Sequence, residues 1–294
     1  MTQATQTDHA GHAVAWMLLG VSGGLGLDLC AKELLQTYSL PEFVFTRSLI
    51  GVLIFLALAP RFFGGLKSLY TNRLAWHLLR TLLAIGAMFG FFYGLSKMPL
   101  VNALTLGFTA PLMVTALSVP LLGEHVGWRR WAAVIVGFIG TLIILRPGSG
   151  EVSFASIAIL IGAFCYACQA ITARYLASES ILSLAVYVVA GPLLFSLFFV
   201  NSENWITPDL KGWLLMTAAA ICSVIAWIGF INGYRRSSPA ILAPFEYAAL
   251  VGGAIAGYLI WGEVPDRWVL AGAAIIISSG LYVVYREVDF TKKV

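Results

Sequence analysis

The sequence predicts an all-α membrane protein of ten transmembrane helices, built as two inverted five-helix repeats with both termini cytoplasmic. Its composition, its apolar runs and an internal repeat carry that prediction. Of 294 residues, 60% are apolar and only 11% are charged, and mean hydropathy is +0.88. A soluble domain is roughly 25% charged. A soluble fold of this length could not bury so much apolar surface, because surface grows almost as fast as volume. Lipid accepts an apolar exterior at no cost, provided the backbone is satisfied within helices.

Ten apolar runs near the length needed to cross about 30 Å of hydrocarbon fall roughly at 13–31, 43–60, 75–95, 100–121, 129–146, 154–174, 181–200, 211–232, 240–261 and 267–285. Breakers such as Pro41, Gly64-Gly65, Pro99, Gly148, Pro208 and Pro239 punctuate the connections. No stretch is left for a separate soluble domain. Met1 to His12 is polar, without Lys or Arg, and reads as a short cytoplasmic tail rather than a cleaved leader. With that tail inside, 11 Lys and Arg fall in inner loops and 5 in outer ones; Arg47 and Arg80, inside helices, complete the 18. The bias favours both termini inside, hence an even number of spans.

Net charge is only +4 and forms no stripe, so nucleic acid is excluded as a partner. Cys30, Cys165, Cys168 and Cys222 all lie in apolar runs. Cys165-x-x-Cys168 has metal or redox spacing, but no histidine is near, and the expectation is small packing residues rather than a metal or disulfide site.

The repeat appears on a second pass. Pro99 leads through an apolar helix to Gly123-Glu124, Trp128 and Arg129, then to Gly140. Pro239 leads likewise to Gly262-Glu263, Arg267 and Trp268, then to Gly280, at an offset of about 139 residues. The unit is five helices. Five is odd, so the second copy enters the membrane inverted, a construction plan of secondary transporters. The expected divisions are a tail at 1–12, a first repeat at 13–148, a second at 149–287 and a tail at 288–294.

The stretch from Ser96-Lys-Met-Pro-Leu-Val-Asn-Ala to Gly123-Glu124, with Gly137-Phe-Ile-Gly140 and Arg146-Pro147-Gly148, resembles an EamA-type domain of the drug/metabolite transporter superfamily. Ala243-Pro-Phe-Glu-Tyr247 to Gly262-Glu-Val-Pro-Asp-Arg267 resembles the second copy. The resemblance covers about 13–287. It implies a ten-helix transporter in the bacterial inner membrane. It does not imply a cargo, since such families include amino acid exporters and importers of riboflavin and S-adenosylmethionine.

Polar groups in hydrocarbon are costly, so each needs a reason. Glu246 lies about six residues into the ninth run, roughly 9 Å from its inner end at helical rise. It is a candidate to exchange a proton, to hold a substrate amine, or to bond a neighbouring helix. Pro244 would loosen that helix, and Tyr247 could stack on a cargo or on a packing partner. Asp28 and Lys32, at i and i+4, share a face and are positioned to pair; with Arg47, Glu33 and Glu42 they form either a charged outer vestibule or a set of snorkelling side chains. Arg80 is a gate residue or an inner-side anchor. Asn102, Thr105 and Thr109 fall on one face of the fourth helix, a cavity wall or hydroxyls bonded to their own backbone. Tyr166, Gln169, Trp227 and Asn232 are further candidates. Gly20 with Gly24, Gly252 with Ala256 and Gly253 with Gly257 read as helix-packing positions.

Gly20-Val21-Ser22-Gly23 matches an intramembrane serine protease pattern, but His9, His12, His77 and His125 all lie outside the deep helix positions, so Ser22 lacks a base. A channel would show a charged ring or re-entrant filter; the sequence has neither. No Gly-x4-Gly-Lys-Ser/Thr loop is present, so ATP is not the direct energy source, and no cofactor is expected. The expectation is a secondary carrier for a small organic metabolite, an amino acid or relative, working by alternating access with protons as a possible coupling ion. The sequence sets no oligomeric state.

Overall fold

A computed structural model describes residues 3–123, 126–146, 153–176, 178–200, 205–236, 242 and 245–291, with no side-chain description for 3–10, 174, 234, 235, 284 and 286–291. Glu124, His125, Pro147, Gly148, Pro239, Ala243 and Pro244 lie outside the described residues. Every regular element among the described residues is a helix. It comprises α1 (Gln3–Leu34), α2 (Leu40–Phe62), a 3-10 turn (Leu66–Leu69), α3 (Leu74–Leu95), α4 (Leu100–Gly107), α5 (Ala110–Leu122), α6 (Trp128–Leu145), α7 (Phe154–Tyr175), α8 (Ile181–Ser196), α9 (Leu210–Arg236), α10 (Ala248–Trp261) and α11 (Arg267–Thr291). Among the described residues, seven helical stretches are long and apolar enough to cross a membrane, the α4–α5 stretch Leu100–Leu122 counting as one. Ile181–Ser196, Ala248–Trp261 and Arg267–Val283 are shorter apolar helices at the places of the seventh, ninth and tenth expected spans.

Helix ends follow local chemistry. Ser39 caps α2, its hydroxyl accepting the Glu42 N–H, and Pro41 sits in the first turn, where no donor is needed. Ser180 caps α8 in the same backbone conformation, φ −68°, ψ 151°, accepting the Ser183 N–H. Gly123 ends α5 and Gly262 ends α10, both at φ 67°, ψ 20°, the left-handed region that glycine reaches without strain. These paired ends recur at about the offset found in the sequence.

Two expectations change. The fourth run is not one helix: it breaks at Phe108–Thr109, between Gly107 and Pro111. Pro111 lacks the N–H that would bond back to Gly107, so the helix restarts there. The ninth run turns at Tyr247, so Glu246 lies at a break ahead of α10 and not inside a continuous helix. In addition, the α1 backbone is helical from Gln3, through the stretch expected as a free tail.

Packing interleaves the two halves of the sequence. α1 lies along α9, α3 along α7, α6 along α11, and α2 against α8 and α9; α10 packs on α1 and α4. Glycine makes the closest crossings. A Cβ at Gly90 on α3 would stand 2.5 Å from the Ala158 carbonyl and 3.0 Å from Gly162 Cα on α7. A Cβ at Gly229 on α9 would stand 2.4 Å from Gly20 Cα on α1. Without interhelical water to expel, such backbone contact is what holds membrane helices together. The outward surface is apolar: Leu53, Leu82, Ile135, Ile161, Leu194 and Leu259 are all exposed, and aromatics such as Trp128 and Phe198 stand at helix ends.

Asp266 caps α11, accepting the N–H groups of Trp268 and Val269 at 2.9 and 2.8 Å, and pairs with Arg146. Burial alone would raise its carboxyl; the Val269 and Trp268 N–H bonds and the Arg146 guanidinium outweigh that and hold it below the usual carboxylate range. A depressed carboxyl adds stability above its unfolded value and loses it as pH drops through the folded one. Asp266→Ala is therefore expected to cost about 1 kcal/mol near neutral pH and progressively less in acid. A thermal-denaturation series against pH in detergent checks this; a loss independent of pH would contradict it.

Candidate functional site

The interior polar residues come from α1, α2, α3, α7 and α9 and from the break ahead of α10. Arg47, only 3% exposed, reaches inward from α2. Its Nη1 donates to Ser223 Oγ on α9 at 3.3 Å, its Nη2 approaches Met88 Sδ on α3 at 3.5 Å, and its guanidinium lies 5.9 Å from the Phe92 ring centre. Nε has no partner among the described residues. Asp28 on α1 is attracted by Arg47, yet the two are not in ion-pair contact, and Asp28 makes no hydrogen bond to a described residue. Two side chains of opposite charge type are thus near one another inside the bundle without touching.

A second group lies toward the other end of α3. Arg80, 6% exposed, donates to the Leu184 carbonyl on α8 at 3.2 Å and interacts electrostatically with Tyr166 on α7. It is therefore tied into the protein and does not snorkel. Glu246 interacts with both Tyr166 and Tyr247. Tyr166 keeps 54% of its surface accessible. Gln169 on the same helix is buried, and its Nε2 has no described partner. Tyr247 stacks on Phe108, ring centres 5.0 Å apart and planes at 28°. Those rings mark the two helix breaks, and the residues are separated by the repeat offset. A Cβ on Gly280 would collide with the Tyr247 hydroxyl, so the glycine makes room for this stack.

Other candidates are placed differently. Thr105 and Thr109 are fully buried; the Thr105 hydroxyl donates to the Val101 carbonyl of its own helix, and the Thr109 hydroxyl, at the break, donates back to the Leu106 carbonyl, each at 2.7 Å. The polar stripe on α4 reduces to Asn102. Asn102 borders a small cleft with Met98, Arg146, Ser156 and Asp266, apart from the Arg47 group. Trp227 packs against the apolar cluster around Phe55, Leu182 and Val224. Asn232 donates to the Ile228 carbonyl and accepts from Arg236, all within α9. Lys32 does not pair with Asp28; its Nζ meets Glu263 Oε1 at 2.5 Å. Glu33 pairs with Lys211 at 2.7 Å, and Glu42 is buried, with one oxygen 3.4 Å from the Ile206 N–H. All four cysteines are free thiols, and among the described residues no three His, Cys, Asp or Glu gather as a metal site. Sequence reasoning missed Phe108, Met88, Ser223 and Glu263. Phe108 alone was within reach, by subtracting the repeat offset from Tyr247.

An apolar-surfaced helical bundle with charged side chains held in its interior is the architecture of a membrane carrier. The EamA-like transporter family model matches residues 13–146 and again 153–286. The S-adenosylmethionine uptake transporter of Rickettsia felis is 31% identical over 279 residues, covering 93% of this chain and 92% of that protein. The riboflavin transporter of Vibrio cholerae is 32% identical over 233 residues, 78% of this chain and 77% of that one. The pseudopaline exporter CntI of Pseudomonas aeruginosa is 26% identical over 253 residues, 85% and 88% of the two chains. A solved crystal structure aligns with TM-score 0.65 at 20% identity over 92% of this chain and 96% of its own, a likeness of fold. The chain belongs to the EamA-like transporter family of the drug/metabolite transporter superfamily. It is a multi-pass bacterial inner-membrane protein and a transporter of small molecules, not an enzyme.

Proposed function

We propose that the protein is a secondary carrier, working by alternating access, for a small metabolite with an amino-acid head group, S-adenosylmethionine foremost. The observation that carries this is the unbridged pair of Asp28 and Arg47. A zwitterionic head supplies the two charges that would bridge them: its ammonium to Asp28 and its carboxylate to Arg47, whose planar fork suits a carboxylate. The positive sulfonium of S-adenosylmethionine would find Glu246, and its adenine an aromatic surface at Tyr166. The similarity to the S-adenosylmethionine uptake transporter over nearly the whole chain supports the same cargo. The two family matches, the offset and the paired helix ends support ten spans in two inverted repeats with both termini inside. Because α1 lies along α9 and α3 along α7, the bodies that rock are mixed pairs drawn from both repeats, not the sequence halves themselves.

Proteoliposomes containing the purified protein are expected to accumulate labelled S-adenosylmethionine and to exchange it. Labelled riboflavin and leucine should compete weakly or not at all. Uptake of riboflavin in preference would overturn the cargo assignment. Glu246 is the candidate proton carrier. Glu246→Gln keeps shape and removes titration, so it is expected to abolish any pH dependence of uptake across roughly pH 5 to 8 while leaving the protein folded. A pH profile like that of the unaltered protein would remove proton coupling through this residue.

A further inference from the structure

We infer that Lys32 and Glu263 form a clamp that closes the bundle at their end, and that this clamp must open for cargo to reach Asp28 from that side. The inference rests on the carrier reading, whose bound cargo would touch Asp28. Gly262, left-handed, ends α10 and turns the next residue back: the Gly262 N–H donates to the Tyr258 carbonyl and the Glu263 N–H to the Gly257 carbonyl. Glu263 is thereby aimed across at the start of α4, where Oε2 accepts the Leu100 N–H at 2.8 Å. Pro99 before it supplies no side-chain cap, so this N–H would otherwise be one of the orphan donors of the first turn. Oε1 meets Lys32 Nζ, which also donates to the Met98 carbonyl at 3.0 Å and lies 5.3 Å from the Trp261 ring centre. Three elements, the end of α1, the turn after α10 and the start of α4, are thus joined through one carboxylate and one ammonium.

The clamp sits over an apolar seal. Ala31, Leu34, Leu100, Ala103 and Leu104 are buried together. Gly253 leaves room for Leu104, and Gly257 leaves room for Leu100 and Glu263. Asp28 lies one turn of α1 further in, about 6 Å at helical rise. Both clamp charges are largely buried, with side-chain exposures of 9% and 17%. Charges so placed separate only if water enters to replace the partner. Breaking the clamp, wetting the seal and exposing Asp28 are therefore one event.

The test reads access directly. In protein whose four cysteines are replaced by serine, Gly24→Cys places a thiol on the face of α1 that carries Asp28, at a position with nothing within 4 Å of the new Cβ. A membrane-impermeant maleimide is added from the side of Lys97, an exposed residue at the clamp end. Lys97→Cys, labelled in parallel, fixes the side and reports a folded, inserted protein. With the clamp intact, Gly24→Cys is expected to react slowly. Glu263→Ala or Lys32→Met should raise its rate about tenfold or more, and the exchanged pair Lys32→Glu with Glu263→Lys should bring it back toward the intact value. Glu263→Gln, which keeps the acceptor for Leu100 but loses the ion pair, substitutes if the alanine variant does not fold, and should also raise the rate. Unchanged labelling in the single variants, or rapid labelling of the intact protein, overturns the clamp. Labelling needs no cargo, so absence of transport would count against the carrier reading and leave this result standing.

Discussion

Arg47→Gln is expected to abolish uptake of S-adenosylmethionine and to lower stability by on the order of 3 kcal/mol. Two losses combine. The guanidinium that would grip the cargo carboxylate is gone, and the half-buried Asp28 loses its attracting charge. The bond to Ser223 and the contact with Met88 go as well. Stability alone does not separate a binding residue from a structural one, so the decisive protein is Asp28→Asn with Arg47→Gln. Removing both charges should recover most of the stability, because neither remains uncompensated, while uptake stays absent. Binding by isothermal calorimetry and unfolding by tryptophan fluorescence follow the two quantities separately. If the double variant carries cargo at a normal rate, the pair belongs to the scaffold and not to the site.

The spans were legible because lipid imposes one rule on the whole chain: about 20 apolar residues per crossing. Long helices such as α2, α3 and α9 satisfy it plainly. The break at Phe108 was harder, though Gly107 and Pro111 flank it, since apolar composition continues through the turn. Asp28, Arg47, Tyr166 and Glu246 stood out in the sequence because charge and polarity are rare at those depths. Their partners did not. Lys32 and Asp28 are neighbours on one helix face, which made the local pair the natural expectation; the interleaved packing instead brings Glu263 to Lys32 from the other repeat. Thr105 and Thr109 had the spacing of a cavity wall, but spacing on one helix does not say which neighbour covers that face. Sequence gives the periodicity of an element, whereas the identity of what it meets comes from assembly.

Gly23 and Gly24 are adjacent in sequence and should respond oppositely to a single methyl group. Sequence spacing favoured Gly20 with Gly24 as the close-packing pair; the structure replaces Gly24 with Gly23. A Cβ on Gly23 would stand 2.7 Å from the Ala226 backbone nitrogen and 2.8 Å from the Cys222 carbonyl on α9. Backbone of a packed helix cannot swing aside as a side chain does, so α1 and α9 would have to part along their seam. Gly23→Ala is expected to destabilise by about 1–3 kcal/mol. A Cβ on Gly24 meets nothing within 4 Å, and replacing a mid-helix glycine by alanine favours the helix by about 0.5–1 kcal/mol. Gly24→Ala should therefore be neutral or slightly stabilising. Thermal unfolding of both variants in the same detergent gives the sign of each. If Gly24→Ala is the damaging one, the α1–α9 crossing lies a residue away from where the structure sets it, and Asp28 turns with it, away from its place beside Arg47.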